Sequence, residues 1–353
     1  MDTAPDRKRT QEFARKLFGF YTGGMLTLLV QVGHQVGLFD AAAKGPGTSG
    51  EIAGRAGLDE RYVREWLAAM ATAGVVEYDA ASRRFTLPPE HAACLTGTSS
   101  RNLAAGSQTL PMLAKRLSGV IESFRRGGGV PYSDFRPDFT EAQDASWRLL
   151  YDGLLIKGFL PAVPGLPERL RGGIRVADLG CGTGHAVNLM AREYPASDFV
   201  GYDFGEDAIE RGRAEARAMG LANARFEAMD VARLPDEPTF DLVTSFDAIH
   251  DQRDPAAVLR RAAAVLAPGG VYLMMEPRAS SNLEDNIGNP FTPYMYAMSV
   301  MHCMTVSLAA GGAGLGTAWG EQTARRMLGE AGFKSVEVVE APGPQNSIYI
   351  CRT

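Results

Sequence analysis

Apolar positions recur with a helical period from Gln11 to about Pro161, whereas from about Gly172 onward short apolar runs alternate with helical stretches. In the first half, Tyr21 to Phe39 reads as an apolar helix. Gly45-Pro46-Gly47 breaks the chain, and Thr48 and Ser49 can cap a helix over Gly50 to Ala56. Asp59 caps a longer helix that runs to about Ala73. Val75 to Tyr78 and Arg84 to Leu87, joined by a turn at Asp79 to Ser82, then predict a β-hairpin behind a helix-turn-helix, which is the winged-helix arrangement.

The second half predicts strands at about 175–179, 198–203, 224–229, 240–246, 270–276, 335–339 and 347–351, with helices at about 185–193, 206–219, 255–266, 293–308 and 321–331. This alternation implies a parallel sheet with helices on both faces. The last connection, Glu340 to Asn346, is too short for a crossover helix, so the final strand is expected to pair antiparallel. The fold class expected is α/β: a doubly wound, Rossmann-like sheet with an antiparallel last strand, behind a mainly helical N-terminal winged-helix domain. The division expected is a winged-helix domain over 1–105, a helical connector over 106–170 and a ligand-binding domain over 171–353.

The stretch Ile174 to Gly184 (IRVADLGCGTG) is a strand entering a glycine-rich turn, with a helix behind it. Gly180, Gly182 and Gly184 let the backbone approach a ligand, and the helix N-terminus offers free N–H groups. Dinucleotide enzymes carry such a turn too, but with a third small residue where this chain has His185. Asp178, just before the first glycine, would repel a pyrophosphate and suits the amino group of a methionine moiety. Asp203 closes the second strand, where an acid can accept ribose hydroxyls, with Phe204 beside it. Asp230 and Val231 follow the third strand, where a carboxylate can accept an adenine amine. Phe246 and Asp247 close the fourth.

Val176 to Gly184 resembles motif I of class I S-adenosylmethionine-dependent methyltransferases. The winged-helix start, together with His250 after the fourth strand, resembles the small-molecule O-methyltransferases, and nearly the whole chain is similar to mycobacterial winged-helix methyltransferases. The resemblance implies S-adenosylmethionine as cofactor and no metal. It also implies His250 as general base: Ala248-Ile-His-Asp251 matches the family's His-Asp pair, although Gln252 stands in place of its tryptophan. Glu276, at the fifth strand end, matches the glutamate that flanks that histidine, and Glu321 lies near the place of a second one. The fourth strand does not run into Asn-Pro-Pro-Tyr, which sets aside methylation of exocyclic amines on bases.

The acceptor pocket is expected from Phe291 to Met304, dense in Met and aromatic side chains, with Tyr294, Met298 and His302 as lining residues. Trp147, Tyr151 and Tyr21 are expected to roof it. Gly311 to Gly316 follows no strand and reads as a mobile loop able to act as a lid.

Net charge is −5 over 353 residues, and the helix from Asp59 to Trp66 mixes acids with bases, which argues against a nucleic-acid partner. In the resembling enzymes the winged-helix module dimerises, so a homodimer is expected. The polar N-terminus lacks a signal-type apolar core, and Met25 to Val32 is too short to span a bilayer. Cys94, Cys181, Cys303 and Cys351 lie far apart, and the simplest reading is a reduced, cytoplasmic chain. The function expected is methyl transfer to a small, apolar or aromatic molecule, on oxygen. The alternatives are a transcriptional regulator that binds S-adenosylmethionine and DNA, and a dinucleotide oxidoreductase, which His185 and Asp178 disfavour.

Overall fold

Asp6 and Gly37 set the limits of the first long helix. The Asp6 side chain accepts the Arg9 N–H at 2.9 Å and starts a helix over Arg7–Gln35, well before the apolar stretch that begins at Tyr21. Gly37, at φ 72°, ends it and opens a separate short helix, Leu38–Ala43. The single helix expected over Tyr21 to Phe39 is thus two, because a left-handed residue cannot sit inside one. The computed structural model describes residues 5–343 and 345–353, and it divides into two compact units between Met112 and Leu113.

In the first unit, Thr48 and Glu51 form a reciprocal capping box on the helix Ser49–Ala56, and Asp59 caps the helix Glu60–Thr72. Strands β1 (Glu77–Asp79) and β2 (Arg84–Thr86) pair antiparallel behind them. The core of this unit gathers Phe39, Ile52, Leu67 and Met70 around Trp66, whose indole N–H donates to the Leu29 carbonyl at 2.9 Å.

The second unit holds a seven-stranded sheet of β3 (Arg175–Leu179), β4 (Asp198–Asp203), β5 (Ala224–Ala228), β6 (Phe240–Phe246), β7 (Leu266–Pro277), β8 (Ser335–Glu340) and β9 (Asn346–Arg352). Their spatial order is β5-β4-β3-β6-β7-β9-β8. β9 runs antiparallel to both neighbours and the remaining pairs are parallel, as the short last connection requires. Side chains along β7 alternate between two cores: Val271, Leu273 and Met275 pack on one face, Tyr272 and Met274 on the other. Each such fully buried side chain contributes roughly 1.5–3 kcal/mol of burial energy, and the double burial is what a near-continuous apolar strand encodes. The direction of strand progression reverses between β3 and β6, which leaves a crevice at their carboxyl ends.

Helices fill both faces, including Asp138–Leu154, His185–Glu193 and Glu206–Ala218. The helix expected over Pro293 to Leu308 is broken. Thr292–Met298 passes into one wide turn of π-helix, Ser299–Cys303, before Met304–Ala309 continues. No single helix among the described residues is long and apolar enough to cross a membrane.

Candidate active site

The glycine turn after β3 is held against β4. The N–H groups of Gly180 and Cys181 both donate to the Tyr202 carbonyl, at 2.8 and 3.0 Å. Asp203, the last residue of β4, accepts from Gly182 N–H at 3.0 Å and Gly205 N–H at 2.8 Å, so its carboxylate is pinned at the mouth of the crevice. Burial raises its pKa despite those two donors. Gly184 has φ 75°, and a Cβ there would come within 2.2 Å of the Phe226 ring, so no larger residue fits. Gly182 has open space above it and faces a cavity of about 530 Å³.

That cavity belongs wholly to the second unit. Gly180, Gly182, Asp203, Phe204, Asp230, Val231, Phe246 and Asp247 all line it, as do Trp147, Tyr151 and His302. Tyr151 meets Phe246 edge-on at 5.6 Å and stacks on Trp147 at 5.3 Å. Asp178 is not on its wall. It is buried beneath the turn, accepts from Thr244 Oγ1 at 2.7 Å, and its pKa rises to about 7, chiefly through burial. Gly184 is likewise behind the wall, used for packing. Tyr21 belongs to the first unit and is exposed, as is Tyr294 in the second, while Met298 sits in a core cluster with Phe135 and Phe139. Position along the sequence does not separate the residues on this wall from those packed behind it, which the packing of the unit decides.

His185 has a different task from the one its sequence position suggests. Its Nε2 lies 3.1 Å from Asp152 and its Nδ1 2.8 Å from Glu215, which also accepts from Arg148 at 2.6 Å. Asp144 accepts from Arg148 Nε at 2.7 Å and from Thr183 Oγ1. Burial opposes ionisation of Glu215, but the donors His185, Arg148 and Asn188 outweigh it and lower its pKa to about 2. The network ties the helix Asp138–Leu154 to the glycine turn, so the aromatic roof and the floor of the cavity are fixed together.

Beyond β6 the chain turns at Asp247, a non-glycine residue at φ 56°, a strained conformation worth about 1–3 kcal/mol that clusters at functional sites. The turn carries His250 under the end of β7. His250 Nδ1 lies 2.6 Å from Glu276 Oε2. Glu276 is wholly buried, and it also accepts from Ile249 N–H at 2.9 Å and from the Trp319 indole N–H at 3.1 Å. Trp319 thus fills the place expected for Glu321, whose carboxylate instead pairs with Arg325 at the surface. On the other side, His250 Nε2 is 3.2 Å from Asp251 Oδ1. Burial alone would lower the His250 pKa, but the charges of Asp251 and Glu276, with Cys303, hold it well above the ordinary histidine range. The residue is 2 % exposed, and its neighbour Asp251, not His250, is among the residues that line the cavity.

Six buried side-chain polar atoms among the described residues lack a hydrogen-bond partner, and four of them belong to residues on this cavity: Asp247 Oδ1, both ring nitrogens of His302, and Asp251 Oδ1, whose contact with His250 is an ion pair without hydrogen-bond geometry. Such atoms are costly in a finished core and expected where a ligand completes the site. Sequence reasoning passed over Asp251, although it stands in the quoted His-Asp pair. It also passed over Tyr132 and Phe139, whose only signal was an aromatic-rich stretch ahead of the helix Asp138–Leu154. The loop from Gly311 to Gly316 is tied down by Gly312 and Gly314 donating to Ser307 and by Ala313 donating to the Arg253 carbonyl.

Residues 24–97 match the family of Rv2258c-like winged helix-turn-helix domains, and residues 170–332 match a methyltransferase domain family. The chain carries a methyltransferase domain behind a winged helix. Methyltransferases of this kind use S-adenosylmethionine. The methyltransferase region is similar to trans-aconitate 2-methyltransferase of Variovorax paradoxus, 36% identical over 119 residues, which is 33% of this chain and 42% of that protein. The chain thus spans about two fifths of the length of the curated relatives it matches. Human N-acetylserotonin methyltransferase, solved with S-adenosylmethionine, shares the fold at a TM-score of 0.70 and 16% identity, over 100% of this chain and 99% of that one. An O-methyltransferase family protein of Burkholderia thailandensis shares it at 0.68 and 17%, over 96% and 97%. The methyltransferase domain fits the cofactor through its own features: open space over Gly182, a pinned Asp203 at the crevice, and the partnerless Asp247 carboxylate oxygen on the same wall.

Proposed function

We propose that this chain transfers the methyl group of S-adenosylmethionine to an oxygen of a small, apolar or aromatic acceptor. The observation that carries the reading is one cavity that joins the glycine turn and Asp203 to the Asp251 carboxylate, which lies 3.2 Å from the His250 ring. When bound, S-adenosylmethionine supplies a methyl group on a good leaving group, so the difficult chemistry comes with it. The chain is left with binding, orientation, water exclusion and proton handling. Gly180, Gly182 and Asp247 would hold the amino-acid part, Asp203 and Phe204 the ribose, and Asp230 and Val231 the adenine. Trp147, Tyr151 and Phe246 keep water from the reacting end. Asp251 accepts the hydroxyl proton of the acceptor as the oxygen lone pair forms the new bond to carbon. His250 is a positioning residue: held by Glu276, its ring lies 3.2 Å from the Asp251 carboxylate and orients it toward the cavity.

Calorimetry with S-adenosylhomocysteine tests the cofactor half of this reading. Asp203→Ala is expected to weaken binding by about 1–3 kcal/mol, the cost of losing charged hydrogen bonds. Unchanged affinity removes Asp203 from the site, and binding of NAD in place of the adenosyl ligand overturns the reading.

The first unit supports a homodimer. Along the helix Arg7–Gln35, Phe13, Phe18, Phe20, Tyr21 and Met25 are each at least 60% exposed, a continuous apolar face that a second copy would cover. Light scattering is expected to give twice the chain mass, and a monomer would count against it. A DNA-binding regulator is less well supported. On the helix Glu60–Thr72, Arg61 pairs with Glu65 and Arg64 with Glu60, and on the hairpin Arg84 pairs with Glu51, which leaves little positive charge for phosphate.

A further inference from the structure

His302 is the least explained side chain on the cavity. It sits in the single wide turn Ser299–Cys303, a distortion frequently found at functional sites. Its ring stacks on Phe139 at 3.7 Å and 17°, and Phe135 meets it edge-on at 4.7 Å. It is 2 % exposed, yet neither ring nitrogen has a partner, although the ring lines the cavity. A buried imidazole left without hydrogen bonds is unfavourable, and a plain core position would be filled better by Phe or Leu. Burial lowers its pKa to about 4, with Asp251 offsetting little of that, so the ring is neutral and offers one donor and one acceptor. Asp251, on the same cavity, offers a carboxylate that is paired on one side with His250 Nε2 at 3.2 Å.

We propose that His302 reads a second oxygen on the acceptor, so that the acceptor class is a flat aromatic ring bearing the hydroxyl to be methylated and a further hydroxyl or carbonyl. This rests on the O-methyltransferase reading above. The aromatic ring of Tyr132 on the same cavity suits a planar acceptor. The hydroxyl proton is directed to Asp251, and the second oxygen completes the hydrogen bonding of His302. A phenol with one oxygen would leave the imidazole unsatisfied, which is how a site built on buried polar groups discriminates.

The test is calorimetry on the full chain saturated with S-adenosylhomocysteine, using naphthol and a dihydroxynaphthalene as probes. The wild type is expected to bind the dihydroxy probe about tenfold more tightly, the size of one hydrogen bond with its desolvation. His302→Phe, which keeps the stack on Phe139 and removes both nitrogens, is expected to bring that ratio close to one, while His302→Asn retains part of it. Ring-proton NMR of His302 is expected to shift with the dihydroxy probe and stay still with naphthol. S-adenosylhomocysteine affinity, measured separately, reports folding of each variant and the cofactor reading itself. If that affinity holds and the wild type prefers neither probe, or if the preference survives in His302→Phe, the assignment of His302 is overturned while the methyltransferase reading stands.

Discussion

Asp251→Asn is expected to lower turnover on a hydroxyl acceptor by about 10²–10⁴, the usual contribution of a positioned base, with S-adenosylhomocysteine affinity nearly unchanged. The asparagine keeps shape and volume, and removes the ability to take a proton together with the charge beside His250. The expectation follows from place: Asp251 is on the cavity wall, while His250 is 2 % exposed, is not among the lining residues and has a raised pKa. His250→Gln is expected to cost less, because it removes the ring that pairs with Asp251 and leaves the carboxylate itself in place. The pH profile separates a positioning role from a merely structural one. His250 loses its charge only on the alkaline side, since its pKa is raised, so the wild-type profile is expected to fall there and the fall to vanish in His250→Gln. If His250→Gln proves the more damaging of the two, His250 itself reaches the acceptor. If Asp251→Asn is active as the wild type on the true acceptor, the chemistry needs no base, as with an amine that arrives neutral.

What the sequence displayed and what it hid divide along physical lines. Strands β3, β4 and β6 were legible at their ends because a buried parallel strand is a short apolar run bounded by polar residues. The glycines at 180, 182 and 184 were legible because positive φ at all three positions is a demand on residue type. The antiparallel β9 followed from loop length alone. By contrast, a motif ties a residue to a place along the chain and says nothing about which side of the wall it occupies. His250, Asp178 and Gly184 stand at motif positions and are buried behind the cavity. Asp251, one residue on, faces it. His185 reads as a test between cofactors, but its role as a lock with Arg148, Glu215 and Asp152 depends on residues 30 to 37 positions away. The wide turn at Ser299–Cys303 left no mark in the hydrophobic pattern, because one extra residue per turn only shifts the phase of a helix that is apolar on most sides.

The largest stability effect is expected at Glu276. Glu276→Ala should cost about 3–5 kcal/mol in urea unfolding, the penalty for leaving a buried charge without its partner. Three donors lose their acceptor at once: His250 Nδ1, the Ile249 N–H and the Trp319 indole. Glu276→Gln should be milder, since its amide oxygen still accepts one of the three. The sign of the pH dependence follows from His250. Its folded pKa is raised, so its contribution is fully present below the ordinary histidine range of about 6.5 and is lost as pH rises through the folded value. The groups that raise it are Asp251 at 3.2 Å, Glu276 at 2.6 Å and Cys303, with Asp247 3.9 Å away. Removing Glu276 takes away one of the chief supports of the charged ring. The gap in stability between wild type and Glu276→Ala is therefore expected to be wide near neutral pH and to narrow as the ring loses its proton under alkaline conditions. His250→Gln in the Glu276→Ala background should recover part of the loss, because it removes the charge that the first substitution stranded. A double variant as unstable as the sum of the two singles would show that the pair is not coupled, and would leave the cavity made by the missing carboxylate as the cause.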